Sequence, residues 1–194
     1  TALLLLSPMI PLMFMGDEFA AQAPFLFFTS HHGELAELVR EGRRNEFAAF
    51  SAFADPHKRE QIPDPNALQT FEASQPKRSA SALPAIHDLY RRLLQLRHQH
   101  IIPRLSGTQA LGADVLGHAA VSARWRLGDG SELRIDLNLS DTPVVHTPDA
   151  DTRLLFEHPP HSAGLLRQGK LAPYCALVSL TAAAPLLPPH GERL

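Results

Sequence analysis

The spacing of apolar residues changes period near Pro103, and no single regular element type accommodates both periods. In "SALPAIHDLYRRLLQLRHQHII", residues 81–102, Leu83, Ile86, Tyr90, Leu93 and Arg97 recur at helical spacing, and Leu89 and Leu96 widen the stripe. Pro103 ends this helix. Beyond it, "AVSARWRLGDGSELRIDLNLSD" alternates: Val121, Ala123, Trp125 and Leu127 share one face, with Ser122, Arg124 and Arg126 on the other. A turn at Gly128-Asp129-Gly130 leads into Leu133, Ile135, Leu137 and Leu139, set against Arg134, Asp136 and Asn138. This pattern predicts a half-buried antiparallel hairpin. With further strands at Arg153–Glu157 and Cys175–Thr181, residues 104–194 read as a small antiparallel β-sandwich.

The residues before Pro103 have another rhythm. Thr1–Leu6 reads as the last turns of a buried helix, stopped before Pro8. Leu12–Met15 is an uninterrupted apolar run of strand length, ended by Gly16, which predicts a strand covered on both faces. Helix, short loop, buried strand and loop is the rhythm of a parallel α/β sheet or barrel. "GELAELVREGRR", residues 33–44, then predicts an amphipathic helix with Leu35, Leu38 and Val39 on its apolar face. Residues Ala54–Ser81 are rich in proline and polar groups and read as a long aperiodic loop.

The chemistry concentrates where the first apolar run ends, in "PLMFMGDEFAAQAPFLFFTSHH". Asp17 and Glu18 are neighbours, and neighbours in extended backbone point to opposite sides, so at most one faces a substrate. Phe25, Phe27 and Phe28 can stack on sugar rings or fill a core. His31-His32 are adjacent, and His98 and His100 fall on opposite sides of a helix, so neither pair has the four-residue spacing of a metal site. There is no Gly-x-Ser-x-Gly stretch and no phosphate-cradling glycine loop. A formal net charge of −2 gives no reason to expect nucleic acid or an anionic membrane as partner. The apolar opening lacks a basic lead-in, is broken by Pro8 and Pro11, and is too short to span a bilayer. Cys175 is the only cysteine, which excludes an internal disulfide and suits a reduced compartment.

These motifs have a family resemblance. "LLLLSPMIPLMFMGDEF" resembles the segment through the eighth barrel strand of the α-amylase superfamily, in which a Pro-Leu-x-Phe-Met-Gly-x-Glu pattern ends that strand. "APFLFFTSHHGELAELVREGRRNEF" and "IPDPNALQTFEASQP" are similar to the maltooligosyltrehalose trehalohydrolases, whose loop reads approximately Pro-Phe-x-Tyr/Phe-Phe-Thr-Asp-His. Ser30 stands where that pattern has aspartate. The helix before Pro103 resembles the family's eighth barrel helix, with its Tyr-Arg-x-Leu-x-x-Leu-Arg pattern, and the β-rich part follows more loosely.

The resemblance implies an α/β plus all-β chain. Residues 1–103 are expected to form the C-terminal part of a (β/α)8 catalytic barrel, its last strand and helix, and residues 104–194 a C-terminal β-sandwich. It implies a retaining glycosidase that cleaves the α-1,4 bond next to the trehalose end of maltooligosyltrehalose, in the cytoplasm, with no cofactor and no metal. The family's catalytic aspartate, glutamate and second aspartate sit at strand ends that would precede Thr1, so no catalytic residue is expected here. The expected partners are an α-glucan oligosaccharide with a trehalose end and the remaining N-terminal part of the barrel. Barrel enzymes build their sites from loops at strand C-termini. Gly16–His32 is therefore expected to be a rim segment, with Glu18, Phe28 and His31 touching the sugar and Asp17 structural. Two other readings are a piece of a glycogen branching enzyme or another α-glucan-acting relative, and a non-catalytic α-glucan-binding module.

Overall fold

The computed structural model of the chain describes residues 1–48, 50–51, 55–77, 84–147 and 152–183. Leu83 of the expected helical stripe, and both ends of the expected long loop at Ala54 and Ser81, lie outside the described residues. The chain divides into two compact units: residues 1–12 with 88–194, and residues 13–87.

The first unit is built on β-sheet. Strands β1 (Gln109–Gly117), β2 (Ala120–Arg126), β3 (Glu132–Asn138), β5 (Thr152–His158) and β7 (Cys175–Thr181) form one antiparallel sheet in the order β1-β2-β3-β7-β5. A two-stranded ribbon of β4 (Val144–Val145) and β6 (Lys170–Leu171) accompanies it. Trp125 pairs with Leu133 and Ala123 with Ile135, the register the alternating pattern requires. An antiparallel β-sheet domain therefore follows the helical part of the chain.

The alternation predicted a solvated polar face on β3, and the structure overturns this. Because β3 is the central strand, Arg134, Asp136 and Asn138 are buried as fully as Leu133, Ile135 and Leu137. Polar groups taken out of water need partners, and these residues have them. Asn138 Nδ2 donates to the Thr142, Leu171 and Ala172 carbonyls, fastening the ribbon to the sheet. Asp136 Oδ1 accepts from Arg134 Nε at 2.9 Å and lies 3.1 Å from His146 Nε2. Beside them Leu171, Cys175 and Leu177 form a small core with the short helix α6 (Ser162–Leu166). Burial there pushes the Cys175 thiol up to about 11.

Helix α1 (Ala2–Leu6) lies beside β7. The long helix α5 (Pro84–Leu96) continues through a wide π-type turn at Arg97–Ile101 and a 3₁₀ turn at Ile102–Arg104. Arg97 is buried and donates to the Leu5, Ser7 and Met9 carbonyls at 3.0, 2.6 and 2.7 Å, which closes the C-terminal end of α1. Among the described residues no helix is long and apolar enough to cross a membrane.

The second unit holds a 3₁₀ turn at Asp17–Phe19 and helices α2 (Gly33–Phe47), α3 (Pro56–Glu60) and α4 (Leu68–Ser74). Three expectations fail in residues 12–77: the buried strand, the apolar face of α2 and the aperiodic loop. The run Leu12–Met15 is not a buried strand: both sheets of the described residues are built wholly from residues beyond 108, so it has no ladder, and Leu12 is 87% exposed. No closed barrel is present among the described residues. Helix α2 leaves Leu35 and Leu38 exposed and buries only Ala36. The proline-rich stretch is no aperiodic loop, for α3 and α4 lie within it. Asp55 caps α3 through the His57 N–H, with Pro56 at the first helical position.

Candidate functional site

The turn after the first apolar run depends on Gly16, whose φ of 100° falls in the left-handed region. A Cβ there would meet Ala21 Cβ at 2.7 Å and Pro76 Cβ at 3.1 Å, so the position needs glycine on both counts. The two carboxylates that follow are turned inward on this turn. Asp17 Oδ2 accepts from the Phe14 N–H at 3.0 Å, and Glu18 Oε2 accepts from the Gly16 N–H at 3.2 Å.

Phe28 belongs to a chain of edge-to-face rings: Phe14 against Phe25 at 4.7 Å, Phe25 against Phe28 at 6.2 Å, Phe28 against Phe71 at 5.2 Å. This stack brings the Gly16 turn, the Phe25–Phe28 segment and α4 together. His31 is exposed and is held through its backbone N–H, which donates to Asn66 Oδ1 at 3.0 Å. The same oxygen accepts from Thr29 Oγ1 at 2.8 Å, while Asn66 Nδ2 donates to the Ala36 carbonyl. The Thr29 N–H donates to the Pro65 carbonyl, and the Leu26 N–H to Ser74 Oγ. Phe28 and His31 thus share one pinned segment, whereas Glu18 is held on its own turn.

Asn66 is positioned by Asp64. Asp64 Oδ1 accepts from the Asn66 N–H, and Oδ2 binds Arg40 of α2 at 2.7–2.8 Å. The bond from Arg40 holds the Asp64 carboxyl below the usual carboxylate range. "IPDPN" carries the visible trace of this arrangement, an Asp-Pro-Asn turn, but sequence gives no sign that the turn grips residues 29–31.

Two cavities stand out among the described residues of this unit. One of about 420 Å³ lies beside the Gly16 turn and is lined by Phe19, Gln22, Glu72, Gln75 and Lys77 together with four alanines. An aromatic ring among amides, a carboxylate and an ammonium suits a polyhydroxylated ligand. None of these residues is singled out by the sequence pattern, since Glu72 and Gln75 lie some fifty residues along the chain from the turn. The other cavity, of about 520 Å³, is lined by Phe25, Phe27, Phe47, Arg43, Lys58 and Ile62 among others. Among the described residues no three His, Cys, Asp or Glu side chains are grouped to hold a metal ion.

Comparison with known proteins points in one direction. Residues 108–178 match a family described as a domain of unknown function, DUF3459. The chain is 38% identical over 160 residues to a malto-oligosyltrehalose trehalohydrolase of Deinococcus radiodurans, covering 74% of this chain and 26% of that protein. It is 32% identical over 166 residues to the enzyme of that name from Mycobacterium tuberculosis, covering 81% and 26%. The chain thus spans about a quarter of the length of these relatives. Among solved structures, a Salmonella typhimurium protein bearing the name alpha amylase superposes with a TM-score of 0.75 at 38% identity, over 93% of this chain and 29% of that one. An isomaltulose synthase of Erwinia rhapontici shares the fold alone, at 14% identity and a TM-score of 0.54. The chain is homologous to the malto-oligosyltrehalose trehalohydrolases and to the wider α-amylase superfamily.

Proposed function

We propose that these residues form part of a glycoside hydrolase that cleaves the α-1,4-glucosidic bond next to the trehalose end of maltooligosyltrehalose and releases trehalose. The observation that carries this reading is the cavity beside the Gly16 turn, where Gln22, Glu72, Gln75 and Lys77 meet an apolar wall of Phe19 and four alanines. The homology to trehalohydrolases supports it, since the matched region includes residues of both compact units. In this reading the Gly16 turn and the Phe25–His31 segment are part of the rim of a (β/α)8 barrel. Phe28 offers a partly exposed ring to a glucosyl unit, and His31 offers an imidazole for hydroxyl contacts. Glu18 shapes the turn from which they are displayed. The catalytic carboxylates are supplied by polypeptide outside these 194 residues, and the reaction runs in the cytoplasm.

The test is an assay for trehalose released from maltotriosyltrehalose, by this chain alone and by the polypeptide encoded by the whole open reading frame around it. Trehalose from the encompassing product and none from the 194 residues is the expected result. An encompassing product that transfers glucan branches and releases no trehalose would replace this reading with that of a branching enzyme.

A further inference from the structure

The two cavities of the loop-rich unit differ in lining. Beside the Gly16 turn the lining holds a carboxylate and two amides, acceptors and donors alike. The other cavity, about 520 Å³, has neither a carboxylate nor a hydroxyl in its lining. Its walls are the rings of Phe25, Phe27 and Phe47 with Ile62 and Pro63, and its polar groups are Arg43, Lys58 and Gln61. A sugar needs acceptors for its hydroxyl protons, and here the only polar side chains in the lining are two cations and one amide.

The cations differ in occupation. Arg43 is spent on structure: its guanidinium carbon lies 5.1 Å from the Phe27 ring centroid and 4.5 Å from that of Phe47, and Nη1 binds Glu46 at 2.6 Å. The Lys58 ammonium is exposed and has no ion pair among the described residues. An unpaired ammonium at the mouth of an aromatic cavity favours negative charge attached to an apolar body.

We propose that this cavity binds a small organic anion with an apolar ring, the ring packing among Phe27, Phe47 and Ile62 and the negative group facing Lys58. The cavity shares Phe25 and Phe27 with the proposed rim segment, but its argument does not use the trehalose chemistry and would stand if that reading failed.

The probe is 2-naphthoate, titrated into the full 194-residue chain by calorimetry, with the neutral isostere 2-naphthylmethanol and with maltotriose as comparisons. Naphthoate is expected to bind more tightly than the alcohol, and to weaken as salt is raised to about 0.5 M, where the Debye length is only a few ångströms. Lys58→Glu is expected to weaken naphthoate about tenfold, a change of about 1.4 kcal/mol in binding. Lys58→Gln should fall between the two, and both variants should keep the parent's circular dichroism, since Lys58 is exposed. Equal affinity for naphthoate and the alcohol would reduce the site to apolar adsorption and overturn the proposal. So would displacement of naphthoate by maltotriose, no binding of naphthoate, or binding indifferent to Lys58→Glu.

Discussion

The two compact units are held together by opposite means. In the sheet unit Leu5, Leu6, Leu93, Ile101, Leu133, Ile135 and Val178 are wholly buried, so removal of large side chains from water drives its packing. In residues 13–87 the buried described residues are Gly16, Ala36, Pro65, Thr70 and Ser74, all small or polar. Many of its large apolar side chains, Phe14, Met15, Phe25, Phe27, Phe28 and Leu38 among them, are exposed, and the other described ones are at most partly buried. Order there comes from side-chain to backbone bonds that tie loop to loop. The sheet unit carries its own core, whereas the loop unit is a displayed surface whose shape depends on few atoms. Contiguous apolar display of this kind marks a surface that meets another molecule.

The contrast predicts that single substitutions cost most in the sheet. Asp136→Ala removes a buried carboxylate from Arg134 and His146, and losing one partner of a buried charge pair costs about 3–5 kcal/mol. Urea denaturation followed by Trp125 fluorescence should show this as a large fall in midpoint. The same residue sets an acid limit. Burial pushes the Asp136 carboxyl up, but bonds from His146, Ser122 and Arg134 outweigh this and hold it below its ordinary 3.8. A depressed folded value means the stabilisation is complete above the ordinary value and is lost as pH falls through the depressed one. Sheet stability should therefore fall on acidification below about pH 4, and Asp136→Asn should flatten that part of the profile. An unaltered acid limb in Asp136→Asn would shift the cause to other carboxylates.

Next in size is Gly16→Ala. Left-handed backbone and a 2.7 Å approach to Ala21 Cβ together should cost about 2 kcal/mol, felt only in the loop unit. Hydrogen exchange should show faster amide exchange at Phe19 and Ala21, whose N–H groups donate to the Gly16 carbonyl, with β3 unchanged. Loss of protection in β3 as well would mean that the two units do not open independently.

The unequal legibility of the two units follows from the same physics. The hairpin could be read because register in a sheet is set by nearest neighbours in sequence and a period of two, and the Trp125–Leu133 pairing follows directly. Burial of the polar face of β3 could not, because it depends on β7 and on the ribbon, which join from residues far along the chain. Leu12–Met15 reads as a buried strand in the sequence because an apolar run specifies what it needs, and no strand among the described residues meets that need. Phe28 was legible as an aromatic at a loop. Its neighbours were not, since Phe71 and the grip of Asn66 come from a stretch whose prolines masked the helical character of α4. The two cavities are wholly products of tertiary structure.

Smaller effects separate the pins of the loop unit from its displayed rings. Asn66→Ala takes the acceptor from Thr29 Oγ1 and the His31 N–H, and should cost about 1–2 kcal/mol, the usual size for lost hydrogen bonds. Phe28→Ala removes two edge-to-face contacts from a ring that is already 36% exposed, and should cost about 1–2 kcal/mol. If the ring is there to meet a ligand, its loss should be small in stability and large in recognition. In the encompassing polypeptide, Phe28→Ala should then raise KM for maltotriosyltrehalose several-fold with kcat nearly unchanged, the signature of lost uniform binding. Asn66→Ala should affect both constants, because it loosens the segment that carries Phe28 and His31 together. A Phe28→Ala protein that melts several degrees lower yet keeps its KM would make the ring part of the packing of this unit, and the contrast between a cored sheet and a displayed surface would shrink accordingly.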